Sequence, residues 1–114
     1  MEQLIKAFKA LSDETRLRIL NVLMERECCV CEVMQALDIS QTRASRNLNI
    51  LRDAGFLRMR KSGLWSHYTI DNSTVMTWCP NLVDVVRNGL AQNEITEMDK
   101  ARLAQAERIR PGCC

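Results

Sequence analysis

Four residues, Leu37-Asp38-Ile39-Ser40, constrain this chain more than any others. On their N-terminal side Val30, Val33, Met34 and Leu37 fall at i, i+3, i+4 and i+7, the spacing of one helical face. On their C-terminal side Ala44, Leu48 and Leu51 repeat at i, i+4 and i+7. Two amphipathic helices joined across so short a segment must turn against each other to bury both apolar stripes. Ser40 is placed to cap the second helix by accepting a bond from one of its free amides. Gly55 ends it, because glycine readily takes the left-handed backbone needed just past a helix. The spacing therefore predicts a helix over Gln41 to Ala54.

The flanking sequence extends this pattern. Leu4, Ile5, Ala7, Phe8 and Leu11 predict a first helix over residues 2–10. Ser12 or Asp13 can cap a second, which runs to about Met24 with Leu17, Leu20, Leu23 and Met24 inward. After Gly55, "FLRMRKSGLWSHYTI" alternates and turns at "KSG", predicting a hairpin from about Leu57 to Ile70. Pro80 opens a longer helical region, Asn81 to about Arg108, with Leu82, Val85, Val86, Leu90, Ile95, Met98 and Leu103 on its apolar positions. The 114 residues suffice for one domain and one modest core. Residues 1–108 are expected to form that domain, and 109–114 a flexible cysteine-containing tail. The expected fold is mainly α with a small β-hairpin wing, a winged helix-turn-helix.

The polar face of the predicted 41–54 helix carries Gln41, Thr42, Ser45, Arg46 and Asn49 in one stripe opposite Ala44, Leu48 and Leu51. Gln, Asn and Arg can pair with base edges, and Ser and Thr with bases or phosphates. A solvated helix face would use Glu and Lys, and this stripe has neither. The net charge is only +2, but six basic residues between Arg43 and Lys61 stand against the single acid Asp53. A basic middle on a nearly neutral chain marks a local anion-binding face. Arg58, Arg60 and Lys61 on the wing can add phosphate contacts. Trp65 and Tyr68 are read as packing the wing onto the body, and His67, the only histidine, as structural.

The six cysteines are bunched, three of them in "ECCVCEV" at residues 27–33 and two at the end. The first residues mix charges into an apolar run, which does not make a secretory signal, and no apolar stretch is long enough to cross a membrane. A cytoplasmic location is expected, with the thiols reduced. Bunched thiols staple little chain together, but they suit soft, thiophilic ions. Cys31 lies in the first turn of the predicted 30–37 helix with Cys29 just before it, where the positive helix end favours a thiolate. In a regular helix, residues two apart differ by about 200°. Cys29 and Cys31 can then share an ion only if the helix start is irregular, whereas Cys28 and Cys31 would lie on one side. Cys79, before Pro80, is read as a core or boundary thiol.

Together "LSDETRLRIL", "CVCEV", "ALDISQTRASRNLNILRDAGFL" and "RKSGLWSHYTI" resemble the ArsR/SmtB family of metalloregulatory repressors over residues 4–70, and more loosely to about residue 105. The resemblance implies a homodimeric winged helix, dimeric through its N- and C-terminal helices. Such a protein binds an inverted repeat in double-stranded operator DNA and releases it on metal binding. Many members carry histidine where this chain has Asn47, which is counted here among the DNA contacts. Cys-Val-Cys at this helix looks like the arsenic-responsive branch, with Cys29 and Cys31 matching its two leading ligands.

Some members of that branch have a third cysteine where this chain has Met34, whose thioether cannot deprotonate. The third ligand is left between Cys28 and the terminal Cys113 and Cys114, from the same or the partner subunit. A cadmium- or lead-type site would need cysteines in residues 1–27, which hold none. A zinc-type site would need histidines beside Asp84, and residue 86 is Val. As(III) or Sb(III) is therefore the expected effector, with no cofactor required and no enzymatic activity. A thiol redox-sensing repressor on the same scaffold stays open. A cysteine-based metal-sequestering protein would leave the Gln41–Asn49 stripe unexplained.

Overall fold

The computed structural model describes residues 1–72 and 79–108. The elements are α1 (Glu2–Leu11), α2 (Glu14–Glu25), β1 (Cys28–Cys29), α3 (Val30–Leu37), α4 (Gln41–Asp53), β2 (Leu57–Ser62), β3 (Trp65–Ile70), α5 (Leu82–Gly89) and α6 (Glu94–Gln105). The strands form one antiparallel sheet in the order β1-β3-β2. Helices α3 and α4 make the helix-turn-helix, and β2 and β3 the wing.

Local chemistry explains the boundaries. Asp13, not Ser12, caps α2, accepting the Arg16 amide at 3.0 Å, and Ser40 caps α4, accepting the Arg43 amide at 3.2 Å. The turn between α3 and α4 is made by Asp38 at φ 56°, and the Ile39 amide reaches back to the Met34 carbonyl at 3.1 Å. Aspartate tolerates that left-handed backbone better than most residues. Gly55, at φ 92°, closes α4, with the Phe56 amide on the Leu51 carbonyl at 3.0 Å.

Both helix-turn-helix stripes enter one core. Val33, Ala36 and Leu37 from α3 and Ala44, Leu48 and Leu51 from α4 are buried with Ile19, Leu20, Val22 and Leu23 of α2. Each large apolar side chain contributes about 1.5–3 kcal/mol on burial. Phe56, Leu57 and Tyr68 join the wing to this core, and Leu103 joins α6. A polar hub sits beside it. Asp99 is fully buried and accepts from Arg18 at 2.9 and 2.8 Å and from Arg102 at 2.8 Å. The same two arginines donate to the Leu37 and Ala36 carbonyls at 3.0 and 2.8 Å. Those carbonyls end α3 and have no partner within the helix, so guanidiniums there satisfy them and oppose the helix dipole.

Two elements differ from the sequence expectation. The helix predicted over Asn81–Arg108 is two helices, broken where Gln92 turns at φ 64° and Asn93 starts α6 by accepting the Ile95 and Thr96 amides at 2.9 and 3.1 Å. The short strand β1 was not anticipated. No helix among the described residues is long and apolar enough to cross a membrane.

Candidate thiol site and nucleic-acid interface

Strand β1 decides where the thiols point. Cys28 lies opposite Tyr68 and Cys29 opposite His67, and across β3 these continue to Met59 and Arg60. Successive strand residues face opposite sides of a sheet. The row Cys28, Tyr68, Met59 faces the main core, whereas Cys29 clusters apart from it with Cys31 and Trp65. This corrects the expectation that Cys28 and Cys31 share a side, because residues 28 and 29 are strand and not helix. Cys29 is the N-cap of α3, with an extended backbone at φ −85°, ψ 171°. That irregular start brings the Cys29 and Cys31 sulfurs to 2.9 Å. The separation exceeds the ~2.05 Å of a disulfide.

The charges around the pair form a closed set. The Cys29 sulfur accepts the Glu32 amide, and the Glu32 carboxylate accepts the Cys29 amide at 2.9 Å, a reciprocal capping box. Glu32 is buried and also accepts from Arg26 at 2.5 Å and Arg108 at 3.2 Å. Burial pushes its carboxyl pKa up. The Cys29 amide and the two guanidiniums outweigh burial and hold the carboxyl below its usual range. Arg26 and Arg108 thus bring positive charge to the site. Cys28 differs: desolvation in the core pushes its thiol up to about 12, so at neutral pH it is a protonated, apolar-packed thiol.

Beside the pair, Glu27 holds Arg60 through two bonds of 3.0 and 2.6 Å. This bond to Arg60 is the main reason the Glu27 carboxyl lies below its usual range. His67 is buried at 2% exposure, with Nδ1 3.8 Å from a Glu27 oxygen and outside hydrogen-bond reach of it. Met34 and Cys79 are part-buried against the core, and Asp84 pairs with Arg87 at 2.5 Å. Cys113 and Cys114 lie outside the described residues. Among the described residues no three His, Cys, Asp or Glu side chains gather into a metal site.

On α4, Gln41, Thr42, Arg46 and Asn49 are exposed and Ser45 is half-buried, forming the anticipated stripe. Asn47 departs from the expectation. It is 4% exposed, accepts from Arg16 at 3.0 Å and donates to the Arg43 carbonyl at 2.9 Å. Arg16 also binds the Ala10 and Lys9 carbonyls at the end of α1, at 2.6 and 3.1 Å. Asn47 is therefore an internal tie between α4, α2 and α1 and not a base contact. Sequence reasoning missed this because Arg16 lies 31 positions away. Lys61 is exposed near the wing tip, whereas Arg60 is turned to Glu27.

Comparison with known proteins adds to this geometry. The model of the bacterial regulatory protein, arsR family, matches residues 13–58. The arsenical resistance operon repressor of Escherichia coli (strain K12) is 44% identical over 81 residues, 70% of this chain and 68% of that one. The arsenic resistance transcriptional regulator ArsR1 of Pseudomonas putida is 40% identical over 101 residues, 86% and 75% of the two chains. Among solved structures, the homodimeric winged helix-turn-helix DNA-binding domain of Mb0332 from Mycobacterium bovis, a possible ArsR-family regulator, superposes with a TM-score of 0.67. It is 30% identical and covers 77% of this chain and 78% of that one.

Proposed function

The chain belongs to the ArsR family of bacterial regulatory proteins, and from that premise we propose that it is a metalloid-responsive transcriptional repressor. It binds an inverted repeat in operator DNA as a homodimer and leaves the DNA when As(III) or Sb(III) binds the Cys29 and Cys31 thiolates. Residues 1–108 serve as the DNA-binding and dimerisation unit, and 109–114 as a cysteine-bearing tail. The observation that carries this reading is the sulfur pair at 2.9 Å, in which Cys29 is the N-cap of α3 and part of the strand that pairs with β3, and Cys31 lies in the first turn of α3.

The stripe Gln41, Thr42, Ser45, Arg46 and Asn49 reads the major groove, with Lys61 on the phosphates. Leu4, Ile5 and Phe8 on α1, with Val85 on α5 and Ile95 and Met98 on α6, are exposed apolar side chains that a second copy would cover. Two sulfurs on one thiophilic ion, each at about 2.3 Å, lie up to about 3.8 Å apart. Occupation therefore widens the pair, and β1 or the first turn of α3 must yield. Release follows if the ion binds the yielded form more tightly than the DNA-bound form.

The test is fluorescence anisotropy on DNA from the protein's own promoter, titrated separately with arsenite, antimonite, zinc, cadmium and peroxide. Release by arsenite or antimonite at the lowest concentrations is expected. Release by zinc or cadmium ahead of both would reject the metalloid assignment. The close sulfur pair also favours one other reading, a redox switch. Release by peroxide that a dithiol reverses, with no response to arsenite, would select it.

A further inference from the structure

We infer that Leu64, at the tip of the wing, is an apolar wedge that enters the minor groove and parts one base step in each half of the operator, an inference that rests on the reading of α4 as the major-groove helix. Strands β2 and β3 pair out to Ser62 and Trp65, so Gly63 and Leu64 alone make the turn. Gly63 takes φ 63°, and Leu64 keeps the ordinary negative φ. That is the pattern of a type II′ hairpin, which needs glycine first. The second place in such a turn is usually small and polar, because its side chain stands out from the strands. Here it is leucine, 78% exposed. Among the described residues, the other exposed large apolar side chains, Met1 apart, lie on α1, α5 and α6, where a second copy would cover them. Leu64 lies on none of these helices.

The chemistry around the tip selects its partner. Arg58 and Lys61 are exposed on β2, and no acidic residue occurs in the sequence between Asp53 and Asp71. An apolar point in a positive field suits a ligand with an anionic surface and an apolar interior. The phosphate ridges and stacked bases of DNA are such a ligand. Reach agrees. Strand β2 follows α4 after three residues, and its six residues extend about 20 Å. With α4 in a major groove about 12 Å wide, that length carries the tip over one phosphate ridge to the neighbouring minor groove. The hairpin is also braced, as a wedge has to be. Trp65 packs against Cys29 and Cys31, and Glu27 holds Arg60 through two bonds. A leucine that parts a base step kinks the duplex, which costs least at flexible pyrimidine–purine steps such as TA and CA. Leu64 thereby reads deformability at positions where it makes no hydrogen bond.

Promoter DNA carrying the fluorescent adenine analogue aminopurine at successive positions across each half-site tests the wedge, with affinity read by anisotropy at several salt concentrations. Aminopurine brightens when it unstacks, and wild-type protein is expected to brighten it at one step per half-site. Leu64→Ala is expected to lose that signal and to bind promoter DNA about tenfold or more weakly, with its urea midpoint and salt dependence unchanged. Leu64→Met, which keeps an apolar wedge, is expected to hold both near wild type. Lys61→Ala is expected to keep the signal and to lessen the slope of log affinity against log salt by about 0.9 per subunit. Wild-type affinity in Leu64→Ala, or a promoter with no brightened step, would overturn the wedge while leaving the α4 reading intact. Sedimentation in which Leu64→Ala dissociates and wild type does not would assign Leu64 to a contact between copies and overturn the wedge as well. Equal binding of wild-type protein to promoter and scrambled duplexes would overturn the α4 reading itself.

Discussion

Cys29 and His67 face each other across an antiparallel ladder, so the first thiol of the candidate site belongs to the sheet of the wing. Cys29 is at the same time the N-cap of α3. One residue therefore joins α3 to the wing sheet, the two elements packed on either side of α4. An ion that moves its sulfur pulls on β3 through two ladder positions and on α3 through the capping box. Glu27, two residues before, extends the link to β2 through Arg60. This route needs no long relay through the core.

The burial of Asn47 separates stability from recognition. Asn47→Ala leaves the Arg16 guanidinium without its 3.0 Å partner. A loss of about 1–3 kcal/mol is expected in urea denaturation, with base preference unchanged. Arg46→Ala or Asn49→Ala on the exposed face should do the reverse. Specific DNA affinity should fall by about 1–3 kcal/mol, as for loss of a paired base contact, with stability little changed. Anisotropy on specific and scrambled duplexes, beside urea curves, measures both.

Cys28 should behave as core and not as ligand. Its folded pKa is raised to about 12. The stability this gives is complete below the unfolded thiol value near ~8.5 and is lost as pH rises through 12. Alkylation with iodoacetamide at pH 8 should therefore be slow at Cys28 by peptide mass spectrometry of native protein. Cys28→Ala should keep full arsenite-induced release, at a stability cost of about 1 kcal/mol.

The parts of this architecture that are written locally were legible in the sequence. The stripes of α3 and α4, the Ser40 cap, the Gly55 terminator and the hairpin from Leu57 to Ile70 all depend on residues within a turn or two of each other. What depends on distant partners was not. Two residues, Cys28 and Cys29, show no strand period by themselves, and only pairing with Tyr68 and His67 makes them a strand. That pairing, not helical spacing, sets which thiols meet. Asn47 lay next to a convincing polar stripe, and Arg60 on a basic strand. Each is claimed by a partner about thirty residues away, Arg16 and Glu27. The break at Gln92–Asn93 was hidden because apolar spacing continues across it on both sides.

Acidification should loosen the sensor. Glu32 has a folded pKa below its unfolded value near ~4.3. The stability it contributes is present above that value and is lost as pH falls through the lower folded one. Glu27 shifts in the same direction. Urea midpoints measured from pH 7 to pH 3 should fall steeply in wild-type protein below about pH 4. In Glu32→Gln the fall should be shallower without vanishing, because Glu27 still titrates.

Asp99 holds α6 against the end of α3 through Arg18 and Arg102. Asp99→Ala leaves two cations without their buried anion. A loss of about 3–5 kcal/mol is expected, the range for removing one partner of a buried pair. Circular dichroism on heating should show the lowered Tm. Sedimentation below it should show weakened dimers, since α6 carries the exposed Ile95 and Met98.

The most direct measurement of the central claim compares wild-type protein with C29S/C31S, each bound to its own promoter DNA and titrated with arsenite while anisotropy is read. Equal DNA affinity without arsenite, with release of the wild type and retention of C29S/C31S, is the predicted result. Release of C29S/C31S at the wild-type concentration would show that the Cys29–Cys31 pair is not the sensor.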